Sequence, residues 1–175
     1  MALSLNAADS CKFLTVVINY NATIATTLVL DIIDANNSPI QGNLSPTFTI
    51  QPGSAAISYP IPVTNLNIEN GIITIILKVQ NGGEVDRKSV LLHCDIDCCL
   101  TKLTNELIDC HCDCARCSEA LAKAQKVFLL LDSANYALVQ ANEVIMSAKP
   151  GYIKDANSKY LKAKEICDES CGCNC

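Results

Sequence analysis

The chain has 175 residues, half of them apolar, a net charge of −5 and twelve cysteines. That length and apolar share suffice for one packed domain or two small ones. An acidic balance with no basic run and no aromatic–basic patch argues against nucleic-acid binding, and no stretch approaches the roughly 20 apolar residues of a membrane-spanning helix. The opening Met1-Ala2-Leu3-Ser4-Leu5-Asn6 lacks the basic start of a secretory signal. The expectation is a chain that stays in the reducing compartment where it is made, or leaves it inside a larger assembly.

Composition changes near residue 93. Only ten charged residues fall in 1–93 (Asp9, Lys12, Asp31, Asp34, Glu69, Lys78, Glu84, Asp86, Arg87 and Lys88), whereas 94–175 holds the other 21. The first part is rich in Ile, Val and Thr; the second in Ala, Leu, Lys and Cys. The pattern predicts an α+β protein, with an N-terminal antiparallel β-sandwich over 1–93 followed by a Cys-rich three-helix domain over 94–175.

Six strands are predicted in the first part: Cys11 to Ile18, Ile24 to Ile33, Pro46 to Ile50, Ala55 to Tyr59, Ile72 to Val79 and Glu84 to Leu92. Turn residues separate them at Asn36-Asn37-Ser38-Pro39, Gln51-Pro52-Gly53, Asn70-Gly71 and Asn81-Gly82-Gly83. The last is the strongest hairpin signal, a short Gly-rich link between β-branched runs. Cys11 reads as an ordinary buried strand thiol. A β surface with so little charge suits coverage by other subunits, and equally suits a polar, uncharged Ser/Thr/Asn surface.

Three helices are predicted in the second part. The first opens after Asp97 as N-cap, with Leu100, Leu103, Leu107 and Cys110 on one face. The second runs from about Ser118 to Lys149, with Leu121, Ala124, Phe128, Leu131, Asn135, Leu138 and Ile145 as its stripe, and Pro150-Gly151 stops it. The third carries Ile153, Ala156, Tyr160, Ala163 and Cys167 on one seam, with Gly172 just past its end.

Eleven of the twelve cysteines lie in 94–175, in three clusters. They are Cys94, Cys98 and Cys99; Cys110, Cys112, Cys114 and Cys117; and Cys167, Cys171, Cys173 and Cys175. Short links imply antiparallel neighbours, and a rise of about 1.5 Å per residue then brings Cys98 and Cys167 to similar heights along the second helix. The terminal segment can reach the remaining clusters. Structural zinc asks for four thiolate or imidazole ligands, and Cys114-x-x-Cys117 is a knuckle of that kind, with His93 and His111 as substitutes or as hydrogen-bonded structural residues. In a reducing compartment the clusters favour zinc over disulfides or unmodified thiols, although C-x-C and C-x-x-x-C spacings suit all three.

Catalytic constellations are missing from the sequence: no G-x-G-x-x-G, no Walker loop, and no protease-like signature around a Cys–His pair. The reading is therefore not an enzyme.

Several segments together resemble a known family. They are Asn70-Gly71-Ile72-Ile73-Thr74-Ile75 in a charge-poor β domain, then Cys98-Cys99-Leu100-Thr101-Lys102-Leu103, the C-x-C-x-x-C turn, an Ala-rich helical hairpin and a terminal C-x-C tail. This order resembles the small virion proteins of crAss-like and related tailed bacteriophages, which form stacked rings in the tail or the head-to-tail barrel. The resemblance implies a structural subunit of a homo-oligomeric ring, assembled in the host bacterial cytoplasm and located in the virion beside other ring, portal or tail proteins. Zinc bound by the cysteine clusters would stiffen the helical domain. Two other readings stay open, a metal-handling Cys-rich protein and a disulfide-stapled surface or adhesion domain.

Overall fold

The computed structural model describes residues 2–6, 13–40, 45–62, 71–109, 114–144 and 149–171, with side chains placed in all of these except 2–6, 106–117, 170 and 171. The chain divides into two compact units, Met1–Leu92 and His93–Cys175. The first is built of antiparallel sheets and the second of three helices.

Seven strands make up the first unit: β1 (Ala2–Asn6), β2 (Phe13–Ala22), β3 (Thr26–Ile33), β4 (Thr47–Ile50), β5 (Gly53–Pro62), β6 (Gly71–Val79) and β7 (Glu84–Leu92). They form one sheet in the order β1-β2-β5 and another in the order β4-β3-β6-β7, every pairing antiparallel. Alternate residues point inward, as the two-residue period of a strand requires. Leu14, Val16 and Ile18 of β2 share a core with Leu28 and Leu30 of β3, Ile50, Ile61, and Ile73, Ile75 and Leu77 of β6. Phe48 meets Tyr59 edge to face at 5.2 Å between ring centroids.

β6 is buried on both faces over Gly71–Leu77, which is why its sequence is a continuous apolar run instead of an alternating one. On its outward side Thr74 is 1% exposed and its hydroxyl meets that of Ser89 on β7 at 2.8 Å.

All six predicted strands are present as β2 to β7. The Asn81-Gly82-Gly83 link closes the β6–β7 hairpin. Asn81 sits at φ 59°, the left-handed conformation that Asn tolerates better than most residues, and the Gly82 amide donates to the Val79 carbonyl at 2.8 Å. A register shift after Leu77 accommodates the turn. Asn36-Asn37-Ser38-Pro39 is also a turn: the Asp34 carboxylate accepts from the Asn36 and Ser38 amides, both at 2.8 Å, while Asn37 takes φ 62°. Gln51-Pro52 is different. It carries the chain from β4 in one sheet to β5 in the other, so it is a cross-sheet link and not a hairpin. β1 went unpredicted, because five residues with two alternating leucines give too short a periodic signal. Cys11 and Asn70 lie outside the described residues.

The second unit contains α1 (Cys94–Asp109), α2 (Cys114–Glu143) and α3 (Lys149–Cys171). α2 packs most extensively against α3, and α1 packs on both. α1 starts earlier than the sequence suggested. His93 is the capping position, its carbonyl accepting from the Asp97 amide at 3.0 Å, so Asp95 and Asp97 lie inside the first turn, where carboxylates oppose the helix dipole favourably. The buried face accordingly runs through Ile96, Cys99 and Leu103, while Leu100 is half-buried.

Pro150 and Gly151 do not stop α2; they form the first turn of α3. Proline is suited to that place, since an amide in the first turn has no intrahelical acceptor anyway. The predicted α3 seam holds throughout: Ile153, Ala156, Tyr160, Ala163 and Cys167 are all buried.

The predicted α2 stripe does not. Leu131 and Leu138 are buried, yet Leu121 and Phe128 face solvent and so does Asn135. The buried side of α2 is made instead of Ala120, Val127, Leu131, Ala134, Ala137, Leu138 and Ala141. Two stripes of helical period coexist on α2, one of small and one of large apolar residues. Small side chains let helices approach closely, so the alanine side is the one packed, and reading size as burial selects the wrong face. Among the described residues no helix is long and apolar enough to cross a membrane.

Candidate functional site

Chemistry-bearing side chains gather where the first turn of α1 meets the C-terminal half of α3. Lys164 of α3 donates to the Asp95 carboxylate at 2.6 Å, and the Tyr160 hydroxyl donates to the same carboxylate at 3.3 Å. Asp95 also accepts from the Ile96 amide at 2.8 Å. Burial first, and then the charge of Asp95, push the Tyr160 phenol far above its ordinary value, so it stays a neutral donor. On the outer side of the same turn the His93 imidazole and the Asp97 carboxylate meet at 2.9 Å.

Two cysteines neighbour this network in sequence: Cys98 follows Asp95 by one helical turn on α1, and Cys167 follows Lys164 by one turn on α3. Cys94 and Cys98 are disulfide-bonded. Cys99 and Cys167 are buried thiols, each belonging to a packed helix face. A disulfide sulfur has no thiolate to offer, so Cys94 and Cys98 in this state do not suit a zinc ligand set. Among the described residues no group of three or more His, Cys, Asp or Glu side chains is placed to hold a metal ion.

The other candidate ligands fall elsewhere. The backbones of Cys114 and Cys117 lie in the first turn of α2 and that of Cys171 ends α3, but their side chains are outside the described set. Cys110, His111, Cys112, Cys173 and Cys175 are outside it altogether. Sequence reasoning missed the Asp95–Tyr160–Lys164 network. The available signal was Tyr160 itself, a polar-tipped side chain on an otherwise small apolar seam that needs a partner when buried.

The first unit offers a contrast in charge. Outward residues of β2 and β5, among them Thr15, Val17, Asn19, Ala56 and Ser58, are uncharged. The outward face of the other sheet carries the Asp31–Lys78 and Glu84–Arg87 ion pairs. Comparison of the chain with protein-family models and with curated proteins gives no match.

Proposed function

We propose that the chain is a structural subunit of a phage virion, forming a homo-oligomeric ring in the tail or head-to-tail connector. The observation that carries this reading is the uncharged outward face of β2 and β5. Lateral contacts in a closed ring desolvate a broad surface, and a face of Thr, Val, Ala, Ser and Asn side chains is cheaper to desolvate than one with ionised groups. The family resemblance of the Cys-rich segments supports it as well.

In this role the cysteines stiffen a helical unit too small to rely on its core alone. Disulfides serve at Cys94 and Cys98. Structural zinc held by the remaining clusters is the rival staple, and metal analysis beside thiol titration under non-reducing conditions separates the two. Native mass and light scattering of the purified chain test the assembly. The expected result is a large closed oligomer; a monomer at the highest soluble concentration overturns the ring.

A further inference from the structure

Four strands stand at the sheet edges, β1 and β5 in one sheet and β4 and β7 in the other. A free edge offers unpaired amides and carbonyls to another strand, and proteins blunt it with short strands, charges or prolines. β1 and β4 are short, at 5 and 4 residues, and β7 carries Glu84, Asp86, Arg87 and Lys88. β5 has neither protection. It is 10 residues long, exposed over 53–56 and at Ser58 and Pro60, and no charged residue falls between Asp34 and Glu69. Its prolines show which groups the edge presents. The ladder to β2 runs unbroken through Pro60 and Pro62, which have no amide hydrogen to give it, so both nitrogens point away from β2. Backbone direction alternates along a strand, so Ser54, Ala56 and Ser58 also turn their amides and carbonyls outward. Among the described residues, none of those three amides has a backbone acceptor. The open donors end at the start of the strand on one side and at Pro60 on the other, and their centre is Ala56.

We propose that β5 pairs edge to edge with β5 of a second copy of the chain, antiparallel, on a two-fold axis at Ala56. The donor pattern selects that occupant because it is its own complement. Ala56 lies opposite Ala56, and Ser54 of each copy lies opposite Ser58 of the other, so all three open amides on each copy meet open carbonyls. Moving the axis one residue either way brings Pro60 or Pro52 into the pairing, and neither has an amide hydrogen to give. The side chains allow the approach: Ser54, Ala56 and Ser58 are small and uncharged, so no like charges meet across the axis. The two three-stranded sheets become one, in the order β1-β2-β5-β5-β2-β1, and the unprotected edge disappears.

The pairing does not rest on the ring reading, because a two-fold contact through β5 joins two copies, or two rings, alike. The test compares the full wild-type chain with Ala56→Pro, Ala56→Lys and Ser58→Ala in light scattering, with folding checked by far-UV circular dichroism. Proline at position 56 removes the central donor and leaves the β2 ladder intact, as Pro60 and Pro62 do. The expected result is a wild-type mass that is an even multiple of the chain, halved by Ala56→Pro at unchanged circular dichroism. Ala56→Lys sets two ammonium groups against each other across the axis and halves the mass too, and it decides the matter if the proline variant does not fold. Ser58→Ala keeps the full mass, because the contact is made by backbone groups. Amide hydrogen exchange over 54–58 is slower in the wild type than in Ala56→Lys. A wild-type chain that is monomeric at its highest soluble concentration, a mass untouched by substitution at Ala56, or equal exchange over 54–58 in the two proteins overturns the proposal. A wild-type dimer supports the pairing while removing the ring, whereas a large particle indifferent to Ala56 keeps the ring and removes the pairing.

Discussion

Lys164 and Asp95, 69 residues apart in the chain, meet at 2.6 Å and tie the last third of α3 to the first turn of α1. The carboxylate is the hub, since it also accepts from the Tyr160 hydroxyl. Tyr160 is buried and Lys164 is 40% exposed at its side chain, so the two arms of the network have different worth. The lysine arm is screened by solvent, whereas the tyrosine arm satisfies the hydroxyl of a residue that is only 3% exposed.

That difference predicts an order of effects. Lys164→Met should cost at most about 1 kcal/mol, the range for partly exposed ion pairs. Asp95→Ala should cost about 1–3 kcal/mol, because it strands the Tyr160 hydroxyl in the core as well as releasing the lysine. Urea unfolding followed by far-UV circular dichroism measures both. A larger loss for Lys164→Met than for Asp95→Ala would mean that the carboxylate is not the hub.

The raised pKa of Tyr160 carries a pH dependence whose sign is fixed. Folding holds the phenol protonated, and the unfolded chain releases that proton near the ordinary value of about 10. The contribution is therefore complete below about pH 10 and is lost as pH rises above it, since the unfolded state then gains by ionising. Alkaline stability curves of wild type and Tyr160→Phe should diverge above that pH, with the variant falling less steeply. Parallel curves would remove Tyr160 from the alkaline response.

The strands were readable because β-branched runs and turn residues are local signals, and Asp34, Asn37 and Asn81 act within a few residues of themselves. The α3 seam was readable for the same reason, a single stripe with no competitor. α2 was not, because its large and small apolar residues both recur at helical spacing and only the fit against a neighbouring helix decides between them. Nor could spacing decide the state of the cysteines. Cys94 and Cys98 stand four residues apart on one helix, which suits a metal pair as well as two disulfides. The network at Asp95 joins residues 65 and 69 apart, and no local pattern encodes a partner at such a distance.

A second buried polar pair isolates the cost of an orphaned hydroxyl in the sheet unit. Thr74 is 1% exposed and its hydroxyl meets Ser89 at 2.8 Å across the β6–β7 pair. Ser89→Ala removes that partner from a group with no access to water, for an expected loss of about 1–3 kcal/mol. Adding Thr74→Val to that background replaces the stranded hydroxyl by a methyl of similar shape and should recover part of the loss. The double variant should thus be more stable than Ser89→Ala alone, a non-additivity expected of two residues in direct contact. Thermal unfolding of the four proteins in the cycle measures it. A double variant less stable than Ser89→Ala would show that the Thr74 hydroxyl keeps a favourable interaction without Ser89, and the pair would no longer explain why two polar side chains are buried side by side on β6 and β7.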